Sequence, residues 1–388
     1  MPLLNDIHRT ILCDTLKVFA VTMVAALLLM VLGGGAKEGL SRGLPPHLVL
    51  RILPYLLPEM LRFVVPGCLL FALCSVFGQM AAANEIVALK SLGINPLRVV
   101  WPALALAYAL SLCTYGLYEI CAVWARPNLQ QQVAQSLHEI AYSYLRANRV
   151  FSSQGVSIVV RDVAVDQLIR PVVSIDAGKN QGPVVLTAER ARLRSDSKRG
   201  VLHIECEHGQ LSVAGKASLS FPDRLVHDVV LRDFRSLEED HLSPAALGMV
   251  GISRQLLKER EQIVLLEQQR RPDIDPLSPG VNPEDEFLAW RRERFHRLLA
   301  EPSRRLSNGL GCLCFALVGI PVALLRRSGD VMSVFFLCFL PILLLYYPLL
   351  VLGESLARQG HFPQYSVWLA DAVLCVIGLG LLHRSMRH

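Results

Sequence analysis

The stretch Asn84-Glu85-Ile86-Val87-Ala88-Leu89-Lys90-Ser91-Leu92-Gly93-Ile94-Asn95-Pro96 lies between two long apolar runs and carries several helix punctuation marks at once. Gly93 is placed to end a helix in a left-handed cap, because glycine has no Cβ to oppose a positive φ. Asn95 followed by Pro96 reads as the N-cap and first-turn proline of the next helix. The pattern predicts a short helical elbow between two membrane helices, with Glu85 and Lys90 at the water boundary. Polar residues collect in loops whatever their role, so one reading is a connector that is polar only because it is wet. The functional reading is a rigid handle for a soluble partner.

The rest of the chain sets that elbow in a membrane. Of 388 residues, 52% are hydrophobic and only 19% charged, where a soluble chain of this length carries more charge and divides into two or three domains. The apolar residues gather in runs near both ends, with a polar middle between Arg126 and Arg305. A membrane span needs about 20 mostly apolar residues. Six runs qualify, at residues 16–36, 60–83, 97–125, 306–325, 331–352 and 366–382. The first is too long for a secretory signal core and lacks a small-x-small cleavage site. The predicted fold is an α-helical membrane protein of three plus three transmembrane helices around an inserted β-rich, jellyroll-like domain. Its parts are a first half at 1–125 with the elbow at 84–95, an insert at 126–290 and a second half at 291–388.

Lys and Arg near span ends set the orientation. With the N-terminus in the cytoplasm, Arg9, Lys17, Lys90, Arg98, Arg326, Arg327, Arg384 and Arg387 lie inside, and Lys37, Arg42, Arg51, Arg62 and Arg358 outside. Both termini and the elbow then face the cytoplasm, and the insert faces outward, which in a didermic bacterium means the periplasm. Residues 44–59 are apolar but broken by Pro45, Pro46, Pro54 and Pro58, which predicts an interfacial helix on the outer leaflet.

The insert opens with a helical stretch from Arg126 to about Arg149. Strand signals follow at 156–161, 183–187, 191–194, 201–206, 210–214 and 227–231, with hairpin turns expected at 196–200 and at His208-Gly209. Many short strands predict a sandwich or jelly-roll-like sheet, either open to a lipid chain or packed shut. A helix is expected at 252–271 with Leu256, Ile263 and Leu266 on one face, then a proline-rich linker at 271–283 and a charged helix at 284–305 leading into the fourth span.

Several chemistries are excluded. Gly33-Gly34-Gly35-Ala36-Lys37 lacks the spacing of a phosphate loop, so energy must come from a partner or a gradient. Gly353-Glu354-Ser355 does not complete a nucleophile elbow, and H-E-x-x-H is absent. His203, Glu205 and Glu207 alternate with Cys206 and His208 across a strand, which suits a solvated strand better than a metal site. Of ten cysteines only Cys206 lies in the insert, so no disulfide framework is expected there. The net charge of +6 is spread without a basic, aromatic-interleaved block, and nucleic acid is not an expected partner.

Charges at membrane depth are costly, about 2.5–3.5 kcal/mol at a helix centre on insertion scales. Lys37, Arg62, Glu119, Glu354 and Asp371 fall near the outer span ends. They either pair structurally or snorkel to the interface, or Lys37 and Arg62 meet the phosphate of an anionic lipid. Asp371 is expected to pair with Arg358.

The layout and several local patterns resemble the LptF/LptG (YjgP/YjgQ) permease family of lipopolysaccharide exporters. The carriers are Pro58-Glu59-Met60 entering the second span, the stretch 84–94 after it, Ala188-Glu189-Arg190-Ala191 with Gly200-Val201-Leu202, and Phe295-His296-Arg297 leading to Gly319-Ile320-Pro321. The resemblance implies one transmembrane half of an ABC transporter that extracts lipopolysaccharide, or a related anionic glycolipid, from the inner membrane. It implies a separate LptB-like ATPase, a second LptF/LptG-like subunit and periplasmic LptC/LptA-like β-jellyroll proteins. It implies no cofactor on this chain, with ATP and Mg on the ATPase. The elbow would be a coupling helix, with Asn84, Glu85, Ile86, Leu89, Lys90 and Gly93 forming it and Glu85 at the family's acidic coupling position. Lys37 lies where family members can place a basic residue near lipid phosphates. The proline-rich stretch at Pro272, Pro276, Pro279 and Pro283 departs from the family pattern.

Two other classes remain at this point. An ion-gradient-driven lipid transporter would use Glu119, Glu354 and Asp371, although no internal repeat or interrupted helix pair supports it. A non-transporting membrane scaffold would tolerate charge reversal at Glu85.

Overall fold

The computed structural model describes residues 2–36, 46–153, 156–164, 167–175, 184–196, 201–213, 217–230, 243–269, 283–326, 330–360 and 362–387. The chain divides into two compact units. One comprises Met1–Leu28, Pro58–Val123 and Pro244–His388, the other Leu29–Leu57 and Trp124–Ser243.

The first unit is a helix bundle, and the described residues contain six helices long and apolar enough to cross a membrane. The first, α1 (Pro2–Met30), is followed by α2 (Pro46–Ala82), the elbow helix α3 (Glu85–Ser91) and α4 (Pro96–Ile120). After the insert come α7 (Met249–Gln269), α8 (Pro283–Arg326), α9 (Val331–Pro341), α10 (Tyr347–Gln359) and α11 (Leu369–Arg387), where α9 and α10 join through a π turn at Ile342–Tyr346 into one span. The core runs along α2 through Leu69, Leu70, Leu73, Cys74 and Phe77, and is closed by Ala103 and Ala107 of α4 and by Phe315, Ala316 and Ile320 of α8. Small side chains let these helices approach closely, which is how spans pack when lipid is as apolar as the core. By contrast, the apolar stretch of α1 is almost uncovered by the rest of the chain.

Gly378 of α11 marks one close approach to α8. A Cβ there would lie 2.9 Å from the Leu317 Cβ and 3.0 Å from its carbonyl oxygen. Gly378→Ala must therefore push backbone against backbone, and is expected to destabilise the folded chain by about 1–3 kcal/mol, read as a fall in the unfolding midpoint in detergent.

The proline-broken segment before the second span is not a separate interfacial helix. Its described part, from Pro46, is continuous with the span in one 37-residue helix, about 55 Å long. Pro54 and Pro58 each remove a backbone hydrogen bond, but the first turns are held by tertiary contacts. Leu48 is buried, His47 meets Glu139 at 2.8 Å, and the Tyr55 ring lies 5.2 Å from that of Trp124. All of these partners belong to the second unit, which takes up the helix as far as Leu57.

The second unit also holds α5 (Arg126–Gln135), α6 (Leu137–Asn148) and one curled, wholly antiparallel sheet. Its strands are β1 (Val150–Ser153), β2 (Val156–Val159), β3 (Asp162–Val163), β4 (Leu168–Ile169), β5 (Val172–Ile175), β6 (Val184–Asp196), β7 (Val201–Val213) and β8 (Ala217–Val230). One edge of β6 pairs first with β5 and then with β4, and β7 and β8 add to its other edge. Between those two partners Arg170 takes a positive φ of 49°, so the sheet bends there. The inward residues shift phase accordingly, from Leu186 and Ala188 to Ala191. Tyr142 and Leu145 of α6 are buried, on the helix that packs against β1, β3 and β6.

Three expectations about this sheet change. The strands expected at 183–187 and 191–194 are one, β6, and those at 201–206 and 210–214 are one, β7. His208-Gly209 is not a hairpin turn. His208 takes a φ of 50° at a register shift between Glu207 and Gly209, a β-bulge that bends a continuing strand. The stretches 197–200 and 270–282, with the other expected turn and most of the proline-rich linker, lie outside the described residues.

Cys206 sits on the buried face of β7 with no exposure, and burial pushes its thiol up to about 11. At pH 8 only about one such thiol in a thousand is ionised. Iodoacetamide is expected to modify the exposed Cys13 and spare Cys206 until the sheet is unfolded, as peptide mass mapping will show.

Candidate functional site

The elbow is built from two left-handed residues and two caps. The α2 helix ends as Asn84 turns to φ 60°, a conformation asparagine tolerates better than other non-glycine residues. The Asn84 carbonyl then accepts from Ala88 N at 3.0 Å, so one residue closes α2 and opens α3. At the far end Gly93 has φ 77°, Gly93 N donates to Lys90 O at 2.9 Å and Ile94 N to Leu89 O at 3.1 Å. That is a Schellman cap. Asn95 accepts from Leu97 N through its side chain at 3.0 Å, with Pro96 opening α4. The elbow expected around Gly93, Asn95 and Pro96 is therefore present, and the left-handed Asn84 is an addition to it.

Its side chains divide into two faces. Ile86, Leu89 and Ile94 pack against the bundle core, and Lys90 is half-buried. Exposed are Asn84, Glu85, Val87, Ala88, Ser91, Leu92 and Gly93, with Leu92 75% exposed. Of the six residues singled out in sequence, Ile86 and Leu89 thus anchor the elbow. Val87 and Leu92 stand outward beside Glu85, and sequence reasoning missed them; the helical offset from Ile86 and Leu89 was the signal that could have found them. Glu85 occupies the first turn, where the helix end favours a carboxylate. His8 of α1 bonds the Arg98 carbonyl at 2.8 Å, tying α1 to the root of α4. Between α1, α2 and α3 lies a groove of about 870 Å³, lined by Ile11, Asp14, Val76, Met80, Glu85 and Leu89 among others. An exposed acid beside apolar side chains on a rigid base is suited to docking a protein, not to catalysis.

Glu119, 23 positions beyond Pro96 on the same span, lies about 35 Å from the elbow by helical rise, in a belt of paired charges. Arg305 is 1% exposed. It donates to Glu119 at 3.0 Å, to Glu301 at 3.2 Å and to the carbonyls of Leu247 at 2.6 Å and Pro244 at 3.4 Å. The other Glu119 oxygen accepts from Met249 N at 2.9 Å, capping α7. Arg304 bonds Glu301 at 2.9 Å and lies 3.7 Å from Glu354. Arg62 bonds Glu59 at 2.7 Å, and its guanidinium lies 4.7 Å and 4.8 Å from the centres of the Phe63 and Tyr118 rings. Lys37 lies outside the described residues.

Asp371 does not pair with Arg358. Arg358 stands one turn from Glu354 on α10 and bonds it at 3.1 Å. Asp371, 4% exposed, accepts instead from Tyr346 at 3.2 Å, from Ser307, and more weakly from Cys314. Three hydrogen-bond donors from α8 and the fifth span serve where a cation was expected. Arg304, Arg305 and Glu301 were not singled out in sequence. Two arginines directly ahead of an apolar run read as an ordinary span flank, and only the folded contacts bring Glu119 to them.

These features define a polytopic membrane protein with an inserted β domain. Comparison with protein families makes the assignment specific: the sequence model of the lipopolysaccharide export system permease LptF/LptG matches residues 9–384. The chain belongs to that family. It is a lipopolysaccharide-export permease, a multi-pass inner-membrane subunit of a transporter, in a family that works with an LptB ATPase and other Lpt components. Comparison with curated proteins gives no match.

Proposed function

We propose that this chain is one transmembrane half of an ABC exporter, coupled through its elbow to a separate LptB-like ATPase. The observation that carries the proposal is the doubly capped elbow, whose inner face is anchored in the core while Glu85, Val87 and Leu92 stand outward. A handle of this kind moves as a body with α2 and α4 when pushed. ATP-driven closure of the partner would then squeeze a cavity between two permease subunits and expel lipid toward periplasmic LptC/LptA-like proteins. The sparsely covered first span supports a second LptF/LptG-like subunit. In this reading the termini and elbow are cytoplasmic, the β insert is periplasmic, and Lys37 and Arg62 meet the phosphates of lipopolysaccharide or a related glycolipid. The halves are 1–125 and 291–388, flanking the insert at 126–290.

The test is gentle extraction of the tagged chain from its own membranes, with identification of co-extracted proteins. An ATPase recovered with the wild type and lost with Glu85→Lys supports the assignment. A stable chain with no ATPase in either preparation overturns it.

A further inference from the structure

We propose that a cavity inside this chain's own bundle, between α2, α4, α8 and α10, is a phosphate-binding site held by Arg62 and Arg304. As a seat for a lipid headgroup it rests on the lipid-export reading above, but its geometry is independent of the elbow. The cavity measures about 200 Å³ and is lined on its polar side by Arg62, Tyr118, Arg304, Asn308 and Glu354, over apolar side chains that include Phe315.

Two observations point to an anion. The Nε atoms of Arg62 and Arg304 are both buried and have no hydrogen-bond partner among the described residues. A charged donor left unsatisfied in a buried site is costly, and here two such donors belong to residues lining one small cavity. Each guanidinium is already oriented. Arg62 is only 11% exposed, fixed at one end by Glu59 and packed against two aromatic rings. Arg304 is fixed by Glu301.

The second observation is the unequal sharing of Glu354. Its distance to Arg304 is 3.7 Å, but to Arg358 it is 3.1 Å. The longer contact is beyond hydrogen-bonding range. An entering oxoanion can replace Glu354 at Arg304 while Glu354 keeps Arg358, so no carboxylate is stranded. Planar guanidinium forks suit a phosphate's several acceptor oxygens. A phosphate monoester of a lipid and free inorganic phosphate share this chemistry.

The full-length chain, extracted with its co-purifying partners, is to be analysed by native mass spectrometry after mixing with phosphatidic acid, phosphatidylcholine or inorganic phosphate. We expect phosphatidic acid to be retained over phosphatidylcholine, and its retention to fall about tenfold in Arg304→Gln and in Arg62→Gln, the loss of one charged hydrogen bond. Glu354→Gln is expected to do the opposite and raise retention, because it removes the competing carboxylate. A purely structural belt predicts no such gain. Binding of inorganic phosphate alone, with the same three responses, supports the site and assigns it to a free anion. Unchanged retention in both arginine variants, or no gain in a folded Glu354→Gln, overturns the proposal. The ATPase is counted in the same spectra. Its presence without phosphate binding removes this site only, and phosphate binding without the ATPase removes only the coupling assignment.

Discussion

Arg305→Leu is expected to destabilise the folded chain by about 3–5 kcal/mol, the usual cost of removing one partner from a buried ionic cluster. The substitution leaves the carboxylate of Glu119 without its cation, weakens the hold on Glu301, and strips the donor from the carbonyls of Pro244 and Leu247. The damage is expected to concentrate where the chain returns from the insert, because Glu119 also caps α7 at Met249. The measurements are the unfolding midpoint in detergent and the rate of tryptic cleavage at Arg254 and Lys258 of α7. Removing both charges, as in Arg305→Leu with Glu119→Leu, is expected to recover part of the loss, since the carboxylate stranded by the single substitution is then gone and the buried Arg305 costs desolvation energy that an apolar side chain does not. A single-variant loss under about 1 kcal/mol, as for an exposed pair, would contradict the cluster as placed.

Glu85→Lys is expected to abolish recovery of the ATPase and lipid export while leaving the fold intact. Glu85 is exposed and its neighbours Ile86 and Leu89 supply the anchoring contacts, so folding is not expected to depend on its sign. On the proposed coupling, binding of the ATPase is. Close charge pairs at protein interfaces carry roughly 1.5–7 kcal/mol of coupling, and reversal adds repulsion to that loss. A drop of about a hundredfold in association is therefore expected, with the unfolding midpoint within about 0.5 kcal/mol of wild type. Leu92→Ala, which removes an exposed apolar side chain from the same face, should weaken the same complex without abolishing it. Full recovery of the ATPase with Glu85→Lys, in a preparation where wild type also recovers it, would place the contact elsewhere on the chain.

Much of the architecture was legible because membrane spans and helix caps are local codes. Six apolar runs of the right length became six span-length helices, and Gly93, Asn95 and Pro96 took the cap positions their chemistry favours. Helix caps depend on one residue's φ and one side chain's reach, and hydropathy depends on composition within about 20 residues; neither needs distant partners. The insert was legible as β-rich, but its strand lengths were not. At His208 and Arg170 the backbone bends a strand or a sheet instead of reversing the chain, and whether a left-handed residue does one or the other is decided by the neighbouring strands.

The same division runs through the charged residues. Sequence alone marked Arg62, Glu119, Glu354 and Asp371 as costly at membrane depth and in need of company. Which partners they have was settled by packing between helices far apart in sequence: Glu119 with Arg305 at a separation of 186 residues, and Asp371 with Tyr346, Ser307 and Cys314 instead of Arg358. Likewise, the elbow's existence was written in its caps, but its outward face was set by which side the bundle core covers. The cost of burying a charge is local, a property of one side chain and its depth. The identity of its partner is a property of the tertiary fold, because only the assembled bundle brings those atoms within hydrogen-bonding distance.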